Sequence, residues 1–248
     1  MSHFRKLALF KGMALGKGKF TNLLSELFIT LIGTVLGIVL TVGVTYCSEK
    51  KDKEAMARKV VMLTIHNLDV EIRSMERLVD ELASQDSILN YVAQRQKSLD
   101  TISPDTLDMF VSALYSHRII PIDSSTETIF SSNFEIWKYI DDPKVIGRIA
   151  NCYSLMNKCG EEYDRIDKEK YDSFITVYDA VDPAIRKSDK EMADKLLQEG
   201  MTLRIIEALP AEIYLLRQLI DNAKALNDRN KSQLEVEQEE LDEIGKLL

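Results

Sequence analysis

Apolar residues along this chain form two patterns, a charge-free run near the N-terminus and, after it, repeats with helical spacing. The run extends from Leu27 to Tyr46, twenty residues without a charged side chain. A helix of that length spans about 30 Å, the thickness of the hydrocarbon core of a bilayer. A cleaved signal peptide has a shorter apolar stretch ending in small residues, whereas this run ends in the bulky Tyr46. The pattern predicts an uncleaved transmembrane helix over residues 26–47.

The second pattern is a heptad repeat that begins shortly after the run. Apolar residues recur at alternating intervals of four and three, with no Gly or Pro between residues 44 and 103. This spacing predicts a long juxtamembrane helix over residues 48–102, nearly continuous with the membrane helix. Such a seam suits either the interior of a helical bundle or a two-stranded coiled coil. The heptad seam consists of Val61, Ile65, Leu68, Ile72, Met75, Val79 and Leu82.

Capping residues and prolines divide residues 103–248 into further helices. Ser103-Pro104 and Asp142-Pro143 each place a capping side chain before a proline at the first helical position. The helix that starts at Pro143 is predicted to run to about Val181.

The last third of the chain contains three more helical signals. Asp182-Pro183 predicts a helix that ends near Gly200, and Pro210 is expected to divide or kink the helix that follows. A last amphipathic helix is predicted from leucines spaced seven residues apart, at Leu234, Leu241 and Leu248.

Glycine and proline are distributed too unevenly for a sheet-based fold. Six of the 10 glycines precede residue 46, which leaves four glycines and all five prolines for the remaining 200 or so residues. A β-sandwich, a barrel or a doubly wound sheet needs a turn about every 8–15 residues, usually marked by Gly or Pro. We therefore expect an all-α fold, in which the transmembrane helix continues into the heptad helix and packs with further helices as an elongated bundle.

Small residues within the predicted span suggest that it associates with another helix. Gly33 and Gly37 form a GxxxG motif, and Thr30, Thr34 and Thr41 share its face at helical spacing. Small residues let two membrane helices approach closely, and threonine hydroxyls can hydrogen-bond across the contact. This face predicts self-association in the membrane.

Charge restricts the possible partners. Residues 1–25 form a basic tail with five Lys or Arg and no acid, suited to anionic lipid headgroups. Basic residues also follow the span, so the orientation of a single-pass protein in the plasma membrane stays undetermined. Because the tail carries +5 of the net charge of −8, the rest carries about −13 and would repel nucleic acid. The expected partners are the lipid bilayer and either a second copy or another helical membrane protein.

Residues that could support catalysis or bind metal are few. His3, His66 and His117 lack partners at the spacing of a zinc-binding helix, and each is expected at the surface or at its boundary. Cys152 and Cys159 lie too far apart on one helix for a disulfide and are expected to be buried apolar residues. We predict no cofactor, no metal and no enzymatic activity.

Two groups of segments resemble a protein family. The first is Glu26–Gly33, which leads through the span into a charged helix. The second comprises the Asp-hydroxyl turn Ile122–Thr126, then Ile129–Phe134, and finally Ile140-Asp141 with Ile149–Tyr153. Together they resemble an uncharacterised family of short single-pass bacterial membrane proteins with a helical soluble domain. The resemblance implies a bacterial membrane and a helical domain, and no activity is established for that family.

The leading functional hypothesis is a non-enzymatic, membrane-anchored helical protein that self-associates as a scaffold or binds a partner at the membrane. A sensory or ligand-binding helical domain that acts through a partner is a second hypothesis. A membrane effector of a defence or toxin system is a third.

Overall fold

The computed structural model describes residues 32–36, 50–118, 127–128, 130–131, 134–140, 142–236 and 238–245. Within those ranges every regular element is helical, which confirms the all-α prediction. Residues 32–36 form a short helical stretch. The other helices are α1 (Lys50–Ala93), α2 (Pro104–Tyr115), α3 (Phe134–Trp137), α4 (Pro143–Ala180), α5 (Asp189–Gln198), α6 (Gly200–Gln233) and α7 (Gln238–Gly245), with 3-10 helices at Gln96–Thr101 and Ile185–Lys187.

Three long helices, α1, α4 and α6, form the centre of the bundle. Residue numbers fall along α6 as they rise along either neighbour, so α6 is antiparallel to both, and α1 and α4 are parallel. The contacts that establish these directions are Glu76–Lys224 and Asp80–Arg217 between α1 and α6, and Cys152–Ala223 and Cys159–Leu216 between α4 and α6.

The heptad seam of α1 lies inside this bundle. All seven of its side chains are at most 5% exposed. Its first three residues pack in a cluster with Trp137 and with Val145 and Ile149 of α4, and the other four pack in a larger cluster with α2, α4, α5 and α6. The seam is therefore the α1 contribution to the core of a single chain.

Two of the predicted helix starts are confirmed. Ser103 Oγ accepts a hydrogen bond from the backbone N–H of Thr106, and Pro104 is the first residue of α2. Asp142 Oδ1 accepts one from the N–H of Lys144 at 2.8 Å, and α4 begins at Pro143 and ends at Ala180, close to the predicted Val181.

The end of the heptad helix differs from the prediction. α1 ends at Ala93 and not at residue 102, and a 3-10 helix follows. Ser98 leaves helical geometry with φ −140°, and beyond it Leu99 and Ile102 are buried in the core beside α2. The chain turns back after α1 and buries Leu99 and Ile102, so the helix does not continue straight to residue 102.

The helix predicted from Asp182-Pro183 to near Gly200 starts later than predicted, although α5 ends at Gln198, close to the predicted end. Asp182 accepts backbone hydrogen bonds from Ala184 and Ile185, which close a turn and a short 3-10 helix. α5 starts only at Asp189, where Ser188 Oγ accepts from the N–H of Glu191. The Ser188 cap was missed because the Asp-Pro pair before it has the same signature.

Pro210 does not divide α6, which continues from Gly200 to Gln233. The proline side chain lies on the exposed side, while Leu209 and Ile213 pack in the core. Burial of the apolar residues around Pro210 stabilises the helix despite the missing N–H donor.

The last amphipathic helix is interrupted at its first predicted leucine. Leu234 caps α6, and Glu235 adopts a left-handed conformation with φ 51°. The N–H groups of Glu235 and Val236 bond to the carbonyls of Ser232 and Lys231, the Schellman pattern that usually has glycine at the left-handed position. Leu241 lies in the separate helix α7 and is fully buried, while Leu248 lies outside the described residues.

The predicted transmembrane helix lies outside the described residues except for 32–36. Among the helices that the structure describes, none is both long enough and apolar enough to cross a bilayer.

Candidate functional site

The predicted membrane-association face is only partly represented in the structure. Gly33 and Thr34 lie in the helical stretch 32–36, whereas Thr30, Gly37 and Thr41 lie outside the described residues. Association through this face therefore stays a prediction.

A buried ion pair on α4 is the most unusual polar feature of the bundle. Lys170 Nζ lies 3.1 Å from Asp167 Oδ1, one helical turn away, and the Lys170 side chain is fully buried. Charged residues are almost never fully buried unless they are paired. This pair is the centre of a cluster that contacts two other elements.

On one side of the pair, Lys170 is bound by residues from α1 and from the end of α2. Its Nζ donates to Gln85 Oε1 at 2.5 Å and to Ser116 Oγ at 3.3 Å. Gln85 Nε2 also donates to Ser116 Oγ at 3.2 Å. A lysine ammonium has three hydrogens to donate, and Asp167, Gln85 and Ser116 together accept all three.

On the other side, Asp167 binds the chain that leaves α2. Asp167 Oδ2 accepts from the backbone N–H of Arg118 at 2.7 Å and lies 2.9 Å from His117 Nδ1. The His117 ring stacks on Tyr171 with centroids 5.2 Å apart. The His117 side chain is 29% exposed, which agrees with its expected place at the boundary of the surface, but its role as a partner of a buried carboxylate was missed.

The electrostatics of the cluster reflect its burial. Burial lowers the pKa of Lys170, and the nearby Asp167 carboxylate opposes that change. Burial, helped by the negative charge of Asp167, raises the pKa of Tyr163 to about 12. An amine with a lowered pKa can act as a nucleophile where substrate reaches it, but Lys170 Nζ is enclosed by its three acceptors. The arrangement therefore tethers Ser116–Arg118 to α4 and α1.

A pattern in α4 could have revealed this cluster. Buried residues recur along α4 at intervals of three and four, and Lys170 occupies one of these interior positions. A lysine at an interior position of an apolar repeat indicates a buried partner, although the sequence alone could not identify Gln85 or Ser116 as its acceptors.

A second polar cluster fixes α6 against α1. Asn227, fully buried, donates from Nδ2 to the carbonyl of Ile65 at 3.1 Å and to Asp69 Oδ1 at 2.7 Å. Lys231 Nζ lies 2.7 Å from the other oxygen of Asp69. Because these bonds form only when α6 has one position along α1, they specify the register of the two helices.

A third set of polar contacts joins the end of α6 to the start of α4. Arg148 Nε donates to Asn230 Oδ1 at 2.6 Å, and the same guanidinium donates to Gln233. Gln233 in turn donates to Asp142, the residue that caps α4.

The cysteines occupy the predicted interior positions. Cys152 and Cys159 are fully buried, and both thiols are free. Burial raises the pKa of each thiol to about 12, so both are poor nucleophiles near neutral pH.

Within the described ranges, no group of three or more His, Cys, Asp or Glu residues is arranged to hold a metal ion. A groove lies on the surface between α4 and α6. It is lined by Lys158, Glu162 and Arg165 of α4 and by Glu212, Leu215, Leu216, Gln218 and Leu219 of α6.

Comparison with known proteins finds no matching family model, no matching curated protein and no matching solved structure. The resemblance to single-pass bacterial membrane proteins therefore stays a prediction.

Proposed function

We propose that this chain is a non-enzymatic, membrane-anchored helical module that self-associates or holds a protein partner at the plasma membrane of a bacterium. The observation that carries the proposal is the charge-free run Leu27–Tyr46, which is followed within four residues by the first helix of a bundle, at Lys50. A run of this length and composition is typical of a single membrane span.

The polar clusters of the bundle support a structural role. Lys170 and Asn227 are buried and bonded to α1, and the buried Asp167 binds the segment that follows α2. These contacts give the three residues the geometry of residues that specify packing. Since the α1 seam is buried in the core of its own chain, a partner would have to bind the outer surface of the bundle or the membrane span.

Membrane extraction of the full chain tests the anchor. We expect the chain to stay with the membrane fraction after alkaline carbonate treatment, and the double variant Leu36→Lys/Val39→Lys to move to the soluble fraction. Each lysine at the centre of a span costs about 2.5–3.5 kcal/mol. The matched control Ser74→Lys/Ser84→Lys, at exposed positions of α1, should leave the chain in the membrane. An unsubstituted chain that is released by carbonate contradicts the anchor.

Chemical cross-linking in the same membranes, followed by mass spectrometry, tests the second half of the proposal. We expect a reproducible adduct with a second copy or with one other protein. A chain that is monomeric in the membrane and gives no such adduct contradicts the role as a scaffold or partner-binding module.

A further inference from the structure

Two buried amide side chains of α6 each have one polar atom without a partner. Among the residues that the structure describes, neither Asn227 Oδ1 nor Asn230 Nδ2 forms a hydrogen bond. Both residues are 0% exposed. An unbonded polar atom in the interior costs free energy, and nearly all buried polar atoms of native proteins bind another protein group or an ordered water. The two atoms therefore indicate a bound group that the neighbouring side chains do not supply.

The bonds that the two amides already make fix the directions of these atoms. Asn227 Nδ2 donates to the carbonyl of Ile65 and to Asp69 Oδ1, and Asn230 Oδ1 accepts from Arg148 Nε. Turning over the Asn227 amide would bring its oxygen against two acceptors, and turning over the Asn230 amide would bring its NH2 group against a donor. Because neither amide can turn without losing its bonds, a partner has to reach the two atoms where they are.

We propose that one water molecule is bound between the two amides, where it donates to Asn227 Oδ1 and accepts from Asn230 Nδ2. The pair offers one acceptor and one donor, so the bound group has to donate and accept in turn. An amide N–H does not ligate a cation, and an amide oxygen does not hydrogen-bond to an anion. A neutral group is left, and water is the smallest that has both functions.

The spacing of the two residues fits a bridging water. Asn227 and Asn230 are three positions apart on α6, which places their Cβ atoms about 5–6 Å apart on the same side of the helix. A water within about 3 Å of each polar atom spans a gap of that size. Two hydrogen bonds are within the range that buried waters make in proteins.

The water joins two sets of contacts that the side chains alone leave separate. Asn227 binds Asp69 of α1, and Asn230 binds Arg148 of α4. With the water between the amides, one hydrogen-bond network runs from α1 through α6 to α4. The position of α6 along α1 is then linked to its position along α4.

The surroundings of the two networks are apolar. Ile65 of α1 and Ile149 of α4 are fully buried in the cluster that contains the start of the α1 seam, and Leu226 of α6 packs against that cluster. Hydrogen bonds in such surroundings are stronger than in water. The bound water is therefore expected to leave only when the bundle opens, so it should be long-lived.

Counting long-lived waters in solution tests the proposal. Oxygen-17 magnetic relaxation dispersion of the full chain in detergent measures their number. Asn230→Leu and Asn227→Leu, which remove the amides at similar size, should each lose one long-lived water. The control Asn222→Leu, at an exposed position of α6, should lose none. Equal numbers in all four proteins overturn the proposal.

The double variant Asn227→Leu/Asn230→Leu distinguishes one shared water from two separate ones. A shared water predicts that the double variant also loses one water relative to the unsubstituted chain. A loss of two waters shows that each amide binds its own water, which overturns the bridge and the continuous network.

A crystal structure of the unsubstituted chain that shows ordered waters decides the question even where the leucine variants do not fold. One water within hydrogen-bond distance of both Asn227 Oδ1 and Asn230 Nδ2 confirms the bridge. Direct contact between the two amides, or a water on only one of them, overturns it.

Discussion

Lys170 Nζ and Asp167 Oδ1 lie 3.1 Å apart, and the side chains of both residues are buried in the bundle. The pair joins three elements, because Lys170 also binds Gln85 of α1 and Ser116 at the end of α2, while Asp167 binds the backbone of Arg118. Its removal should therefore weaken the packing of α2 against α1 and α4.

Asp167→Asn should destabilise the fold more than any exposed Asp→Asn change on the same helix. Removing one partner of a buried ion pair leaves the other charge uncompensated and costs about 3–5 kcal/mol. Asp164→Asn, three residues away and exposed, is the matched control and should stay within about 0.5 kcal/mol. Urea unfolding of the full chain in detergent, followed by circular dichroism, measures both, and equal stability of the two variants would contradict the role of the pair.

The stability of the bundle should depend on the protonation of Lys170. Burial lowers its pKa in the folded chain below the ordinary value of 10.5, so the unfolded chain binds this proton more tightly. Between the two pKa values the unfolded state holds more protons, and the contribution of Lys170 to the free energy of unfolding rises with pH up to about 10.5. Lys170→Met should lack this contribution. The measurement is the difference in unfolding free energy between the unsubstituted chain and Lys170→Met from pH 7 to 11. A difference that does not change with pH would contradict the predicted dependence on Lys170.

Leu68→Ala should separate the interior role of the heptad seam from a coiled-coil role. Leu68 is fully buried in the core, and truncating a buried leucine costs about 2–5 kcal/mol. Val70→Ala, two residues away and exposed, should cost no more than about 0.5 kcal/mol. Because the seam packs within one chain, the loss at Leu68 should not depend on protein concentration. A loss that disappears at high concentration would instead indicate a seam between chains.

Cys152 and Cys159 should react with thiol reagents only when the bundle opens. Burial raises both pKa values from near 9 to about 12, and the thiolate is the reactive form. Their contribution to stability is therefore complete below about pH 9 and is lost as pH rises toward 12. Labelling of a Cys47→Ser chain at pH 8, with and without denaturant, measures the protection, and rapid labelling of both thiols in the native chain would refute it.

Glu235→Gly should stabilise the chain. Glu235 has φ 51°, a left-handed conformation that costs about 1–2 kcal/mol for residues with a Cβ atom. Glycine removes this cost, but its greater conformational freedom in the unfolded chain offsets part of the stabilisation. We expect a net gain of about 0.5–1 kcal/mol. The control Ser232→Gly, in the last helical turn of α6, should instead lose about 0.5 kcal/mol. Thermal unfolding of both variants tests these two expectations, and a loss of stability in Glu235→Gly would contradict the Schellman closure.

Local patterns predicted much of the fold because they act over a few residues. The scarcity of Gly and Pro indicated helices, the caps at Ser103 and Asp142 marked the starts of α2 and α4, and the heptad seam identified residues that are now found in the core. The errors at Asp182 and Leu234 arose where two local signals competed, an Asp-Pro pair against Ser188 and a leucine repeat against a left-handed turn.

The sequence by itself determined which positions are interior, because helical periodicity places them on one side whatever covers them. Only the tertiary structure decided what covers them: α4 and α6 on the α1 seam, Gln85 and Ser116 around Lys170, and Asp69 beside Asn227. These partners are separated by 54 to 158 positions in the chain. Periodicity is a property of neighbouring residues. The pairing of distant helices depends instead on which arrangement buries all interior surfaces and gives the buried polar groups hydrogen-bond partners.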